Sequence, residues 1–85
     1  SVVLNSAETK AYVTDKDLKA IFEVDLATGN RSILSSASIG NGTNFSLPVS
    51  TQINSAETKA LVVDNDLQAV FEVDLATGLR VIKSK

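Results

Sequence analysis

The chain contains no cysteine and no histidine. Without cysteine there are no disulfides, and the absence fits either a reducing or an oxidising compartment. Without both residue types, neither a Ser-His-Asp nor a Cys-His nucleophilic site can be assembled, and the serines fall in turn-like stretches. The usual sulfur and nitrogen ligands of zinc and other transition metals are missing as well. There is no run of about 20 apolar residues and no charged-then-apolar leader, so membrane insertion is not expected. Charge of one sign is also scarce. The formal net charge is −2 with acidic and basic residues interleaved, which leaves no electrostatic footprint for nucleic acid or an anionic membrane.

These absences bear on stability. A chain of 85 residues buries a limited fraction of its surface, and small domains usually add disulfides, a metal or a partner subunit. With the first excluded and the second reduced to an oxygen-ligand calcium site, the expected supplement is oligomerisation or membership of a larger structure. The chain opens on Ser1 rather than methionine, which is compatible with processing or with a piece of a longer protein.

What is present is a repeat. Ser1–Ser36 aligns without gaps on Ser50–Lys85 at an offset of about 49 residues, with roughly two-thirds of the pairs identical. Asn5–Ala11 recurs as Asn54–Ala60, and Phe22–Gly29 recurs as Phe71–Gly78. Residues 37–49 between them are rich in Ser, Gly and Asn and contain the single proline, Pro48; they read as a connecting loop. The organisation is therefore repeat 1 (1–36), loop (37–49) and repeat 2 (50–85).

Within each repeat, short apolar runs alternate with turn chemistry at the spacing of an all-β fold. Four strands are expected: Val2–Leu4, Ala11–Thr14, Ala20–Leu26 and Arg31–Leu34, matched by Thr51–Ile53, Ala60–Val63, Ala69–Leu75 and Arg80–Lys83. In the third strand Ala20, Phe22, Val24 and Leu26 share one face and Glu23 and Asp25 the other. Asn5–Glu8 and Asp15–Asp17 have turn-forming side chains. Gly29 suits the positive φ of a short hairpin loop, with Asp25 placed to accept from turn amides. A rival reading is a short helix through Leu18, Ile21, Phe22 and Leu26, capped by Asp17 and stopped by Gly29.

A unit with Tyr12-Val13-Thr14-Asp15, a polar turn, Ile21-Phe22-Glu23-Val24-Asp25-Leu26-Ala27-Thr28-Gly29, Arg31 and a loop carrying Pro48 resembles the blade of bacterial six-bladed β-propellers of the NHL-repeat, YWTD and gluconolactonase-like families. The resemblance spans nearly the whole chain and implies two four-stranded antiparallel blades of a larger, six-bladed ring. It specifies architecture well and function poorly, since propellers host unrelated activities. Members of these families carry a full ring in one chain, and repeat units need neighbours to bury their faces. Two blades therefore imply a homo-oligomer, three chains giving six blades, or further blades from a parent chain. The resemblance also implies a secreted or periplasmic setting.

Candidate ligand-binding residues are polar or aromatic side chains in the loops expected to open on one side of such a ring: Asp15 and Asp17, their counterparts Asp64 and Asp66, and Asn41, Asn44 and Phe45. The aspartates and asparagines could offer oxygen to calcium or hydrogen bonds to a sugar or peptide. The competing role for the aspartates is capping their own turns, and neither Asp-x-Asp continues as a twelve-residue calcium loop. Of four aromatic residues, Phe45 is the one candidate stacking platform, with packing beneath the loop as its alternative. Glu23 with Asp25 and Glu72 with Asp74 are acidic i, i+2 pairs that could serve as a general acid/base couple, with cross-strand pairing to Arg31 and Arg80 as the favoured structural reading.

Two functions remain in competition. One is a binding or scaffold module presenting repeated loops, and its variant is a sugar-binding propeller. The other is a lactonase- or lyase-like enzyme using axial carboxylates and calcium. An active site draws different residues from different blades, and these copies are nearly alike, so binding is the favoured expectation.

Overall fold

The computed structural model describes residues 1–85 and is all-β. Eight strands run in chain order: β1 (Val2–Leu4), β2 (Lys10–Asp15), β3 (Ala20–Asp25), β4 (Arg31–Ser35), β5 (Pro48–Ile53), β6 (Lys59–Asp64), β7 (Ala69–Asp74) and β8 (Arg80–Ser84). They form two four-stranded antiparallel meanders, β1-β2-β3-β4 and β5-β6-β7-β8. The helix considered for Leu18–Leu26 does not form. Val13, Phe22 and Ile33 instead lie side by side across β2, β3 and β4, where β-branched and aromatic side chains pack well on a pleated surface.

The turns follow from their residues. Asn5 Oδ1 accepts from the N–H of Thr9 (2.9 Å) and Lys10 (3.0 Å), and Asn54 does the same for Thr58 and Lys59. Asp25 Oδ1 accepts from the N–H of Ala27 (2.9 Å), and Asp74 Oδ1 from those of Ala76 (2.8 Å) and Thr77 (3.0 Å). Gly29 and Gly78 then close these hairpins at φ of 78° and 77°, where glycine avoids the Cβ penalty.

Every strand but β1 differs from the sequence reading by one to three residues at its ends, and two of these differences have a clear cause. β3 stops at Asp25, so Leu26 leaves the apolar face and is exposed in the turn; Asp25 has committed its carboxylate to turn amides and ends the ladder. Proline belongs to β5 rather than to the loop, at the start of an edge strand whose register shifts between Pro48 and Ser50. A proline is tolerated there because no ladder N–H is required of it.

The sheets stack, with β5 packed against β1 and β2. The near face of the second sheet carries Val62, Phe71 and Val73, all fully buried. Against it the first sheet presents Tyr12, Thr14 and Ile21, and Ile21 joins the same core cluster. Ile21 therefore turns toward the neighbouring sheet, and Phe22 toward the opposite side. The Thr14 and Thr51 hydroxyls meet at 2.5 Å between the sheets, which satisfies two polar groups that burial would otherwise strand.

Burial is unequal between the copies. Val62, Phe71 and Val73 are shut away from solvent, while their counterparts Val13, Phe22 and Val24 are half-exposed. The same three side chains at matching positions differ in burial because that face of the second sheet has a neighbour and that of the first does not.

Candidate functional site

The near face of the second sheet is covered by the connecting loop as well as by the first sheet. From Ser35 the chain crosses β8, passes over β7 and reaches the β6–β7 turn before entering β5. Three side chains hold it, each from a different strand.

Arg80, at the start of β8, is 3% exposed. Its guanidinium donates to the carbonyls of Thr43 (2.8 Å), Ile39 (3.1 Å), Gly42 (3.1 Å) and Ser36, to Ser35 Oγ (2.8 Å) and to Asn44 Oδ1 (3.3 Å). Its own backbone N–H donates to the Asn41 carbonyl at 2.8 Å. The charge meets no carboxylate. It is balanced by carbonyl dipoles and by the Phe45 ring, 5.6 Å from the guanidinium carbon, a geometry that favours a cation. Burial pulls the Arg80 pKa below its ordinary value.

Phe71, in β7, receives Phe45. The rings meet edge to face with centroids 4.9 Å apart at 65°, an arrangement matched to the ring quadrupoles. Phe45 is 3% exposed, so it packs beneath the loop and is not an open platform.

Asp64, ending β6, is fully buried. One oxygen accepts from the N–H of Asp66 (3.1 Å) and Leu67 (2.9 Å) in its own turn; the carboxylate also accepts from Ser46 N–H (2.7 Å) and Leu47 N–H (3.1 Å) in the loop. Burial pushes its pKa up, but the four N–H donors outweigh that and hold it below the usual carboxylate value. The Ser46 hydroxyl completes the contact by donating to Asp66.

Two glycines let the loop lie this close. A Cβ on Gly40 would overlap the Gly78 carbonyl oxygen, and one on Gly42 would overlap that of Arg80; both residues also have positive φ. The Ser35 hydroxyl donates to the Gly78 carbonyl at 2.7 Å.

Of the residues singled out from sequence, five therefore share the contact between the connecting loop and the second sheet: Asn41 and Asn44 at Arg80, Phe45 on Phe71, and Asp64 and Asp66 at Ser46 and Leu47. Asp15 and Asp17 stand apart from them, on the first sheet. Asp15 accepts from the N–H of Asp17 and Leu18, both at 3.0 Å. These are the turn caps expected, and the second carboxylate oxygen of Asp15 has no bonded partner among the protein hydrogen bonds. No group of three or more His, Cys, Asp or Glu side chains gathers in a metal-holding arrangement.

Arg80 was missed as a site residue, and its expected pairing with the acidic strand face does not occur. Glu23 pairs with Lys10 (2.7 Å) and Asp74 with Lys59 (2.9 Å), while Arg80 lies opposite Val73 on the apolar face. Alternation across the Gly78 hairpin carried the signal: Arg80 and Ile82 share the face of Val73 and Phe71. Lys59, followed by backbone N–H donors from Ala76 and Thr77, holds the Asp74 pKa down at about 2.

No protein-family model, curated protein or solved structure matches this chain.

Proposed function

We propose that the chain is a binding or scaffold module whose two sheets are blades of a propeller-type ring, completed by other copies of itself or by further blades of a longer chain. The observation carrying this reading is that the two outward faces repeat the two halves of the interface already formed. On the second sheet, exposed Leu61 and Val63 and half-buried Val70 stand where Tyr12, Thr14 and Ile21 stand on the first. On the first sheet, Val13, Phe22 and Val24 stand where Val62, Phe71 and Val73 stand on the second. The outward face of one chain thus fits the opposite outward face of the next, a heterologous contact that closes into a ring if the rotation permits.

The meander order and the packing of β5 against β1 and β2 rather than β3 and β4 support blades arranged about a common axis. The six-bladed count comes from the family resemblance and gives three chains. Light scattering on the purified protein tests it. Three chains of 9.0 kDa predict a particle of about 27 kDa, and a monodisperse native monomer across the accessible concentration range overturns self-assembly.

A further inference from the structure

The outward face of the first sheet holds a concavity of about 350 Å³ lined by Val13, Asp15, Leu18, Phe22, Val24 and Arg31. Shifting each by one repeat gives Val62, Asp64, Leu67, Phe71, Val73 and Arg80, the residues that lie beneath the connecting loop. Every side chain that β2, β3 and β4 direct onto this face, from Ala11 to Ile33, has an identical counterpart in β6, β7 and β8. On the opposite face the copies diverge: Tyr12, Thr14, Ile21 and Ser32 become Leu61, Val63, Val70 and Val81. The first sheet thus retains, without an occupant, the complete set of groups that the second sheet uses to hold a peptide segment.

We propose that this concavity is a peptide-binding site for a segment of the chemistry of Ser36–Val49: a glycine-containing turn with clustered carbonyls, then a phenylalanine, then two successive backbone N–H groups before a proline. Arg31 donates to the turn carbonyls as Arg80 does to those of Ser36, Ile39, Gly42 and Thr43. Phe22 takes the edge of the ligand phenylalanine as Phe71 takes Phe45. Asp15, whose turn already uses one oxygen, accepts the two N–H groups as Asp64 accepts those of Ser46 and Leu47. Asp17 receives the serine hydroxyl in the manner of Asp66.

Gly29 bears on the same point. Nothing lies within 4 Å of a Cβ built on it, whereas one on Gly78 meets the Leu34 carbonyl. Both hairpins need glycine for the positive φ, and the space over Gly29 is open where that over Gly78 is filled. The inference stands on the occupied face of the second repeat and not on ring closure, so its test is separate from the measurement of mass.

The experiment titrates the free Ser36–Val49 peptide, blocked at both ends, into the isotopically labelled chain. The expected result is saturable one-to-one binding with Kd on the order of 100 µM, with amide shifts centred on Val13, Phe22 and Arg31. Arg31 is exposed and its replacement does not disturb the core, so Arg31→Ala keeps the fold and weakens binding at least about tenfold. A peptide with alanine in place of its phenylalanine weakens it similarly. No saturation at about 1 mM peptide, shifts centred on the second sheet, or binding unchanged in Arg31→Ala would overturn the proposal.

Discussion

At the scale of single residues, the duplication is a built-in control, because the same side chain occurs once with its partners and once without. Arg80 and Arg31 are the sharpest pair. Replacing Arg80 by lysine removes the planar fork that serves four carbonyls and leaves buried acceptors unpaired. It should cost about 3 kcal/mol in urea denaturation, against less than about 0.5 kcal/mol for Arg31→Lys. Phe45→Ala opens a cavity over Phe71 and should cost about 3 kcal/mol. Asp64 makes the account sensitive to acid. Its pKa is lowered in the folded state, so its contribution is fully present above about 3.8 and is lost as pH falls through the lowered value. Melting temperatures of the native chain should therefore drop steeply below about pH 4, and Asp64→Asn should start lower at neutral pH with a flatter acid limb. An unchanged acid limb in that variant would show that its carboxylate is not the group responsible. The turn roles of Asn5, Asp15 and Asp25 were legible from sequence because each acts on amides within five residues. The role of Arg80 was not, since its partners lie about 40 residues away on a loop whose carbonyls have no side-chain signature.

The elements show the same division between local and distant causes. Strand positions came from period-two alternation punctuated by Asn, Asp and Gly, and the structure departs from them only at the ends, as with Leu26 and Pro48. Alternation defines two faces for every strand but does not say which face has a neighbour, and the apolar face it defines in β3 carries Phe22 rather than Ile21. In the fold Ile21 is fully buried and Phe22 half-exposed, because the neighbouring sheet lies on the Ile21 side. The connecting loop read as a spacer, yet it is the element that seals the second sheet. Its fit depends on close backbone approach at Gly40 and Gly42. Gly42→Ala combines a positive φ with overlap on the Arg80 carbonyl and should cost more than about 2 kcal/mol. Gly29→Ala has open space and only the φ penalty, so it should cost about 1 kcal/mol. Thermal melts of the two variants side by side check this; equal losses would mean that the loop is not seated as described.

For the whole molecule, the governing fact is that two stacked sheets have one closed interface and two open faces that repeat its halves. Half-buried Phe22 and Val24 at one end and exposed Leu61 and Val63 at the other are apolar surface that a small chain without disulfides gains by covering. The all-β, two-sheet organisation was readable from the repeat itself. The number of sheets in the proposed ring was not, because a repeat specifies the contact between neighbours and leaves their count to the rotation per step. The head-to-tail assembly proposed above is open to one direct test. Phe22→Glu places a charge on the first sheet's open face and Val63→Glu on the second's, and each variant keeps the face the other has lost. Sedimentation velocity should show each alone as a 9.0 kDa monomer and their equimolar mixture as a one-to-one complex of about 18 kDa. Variants that assemble alone like the native chain, or a mixture that stays monomeric while the native chain assembles, would contradict the pairing of these two faces.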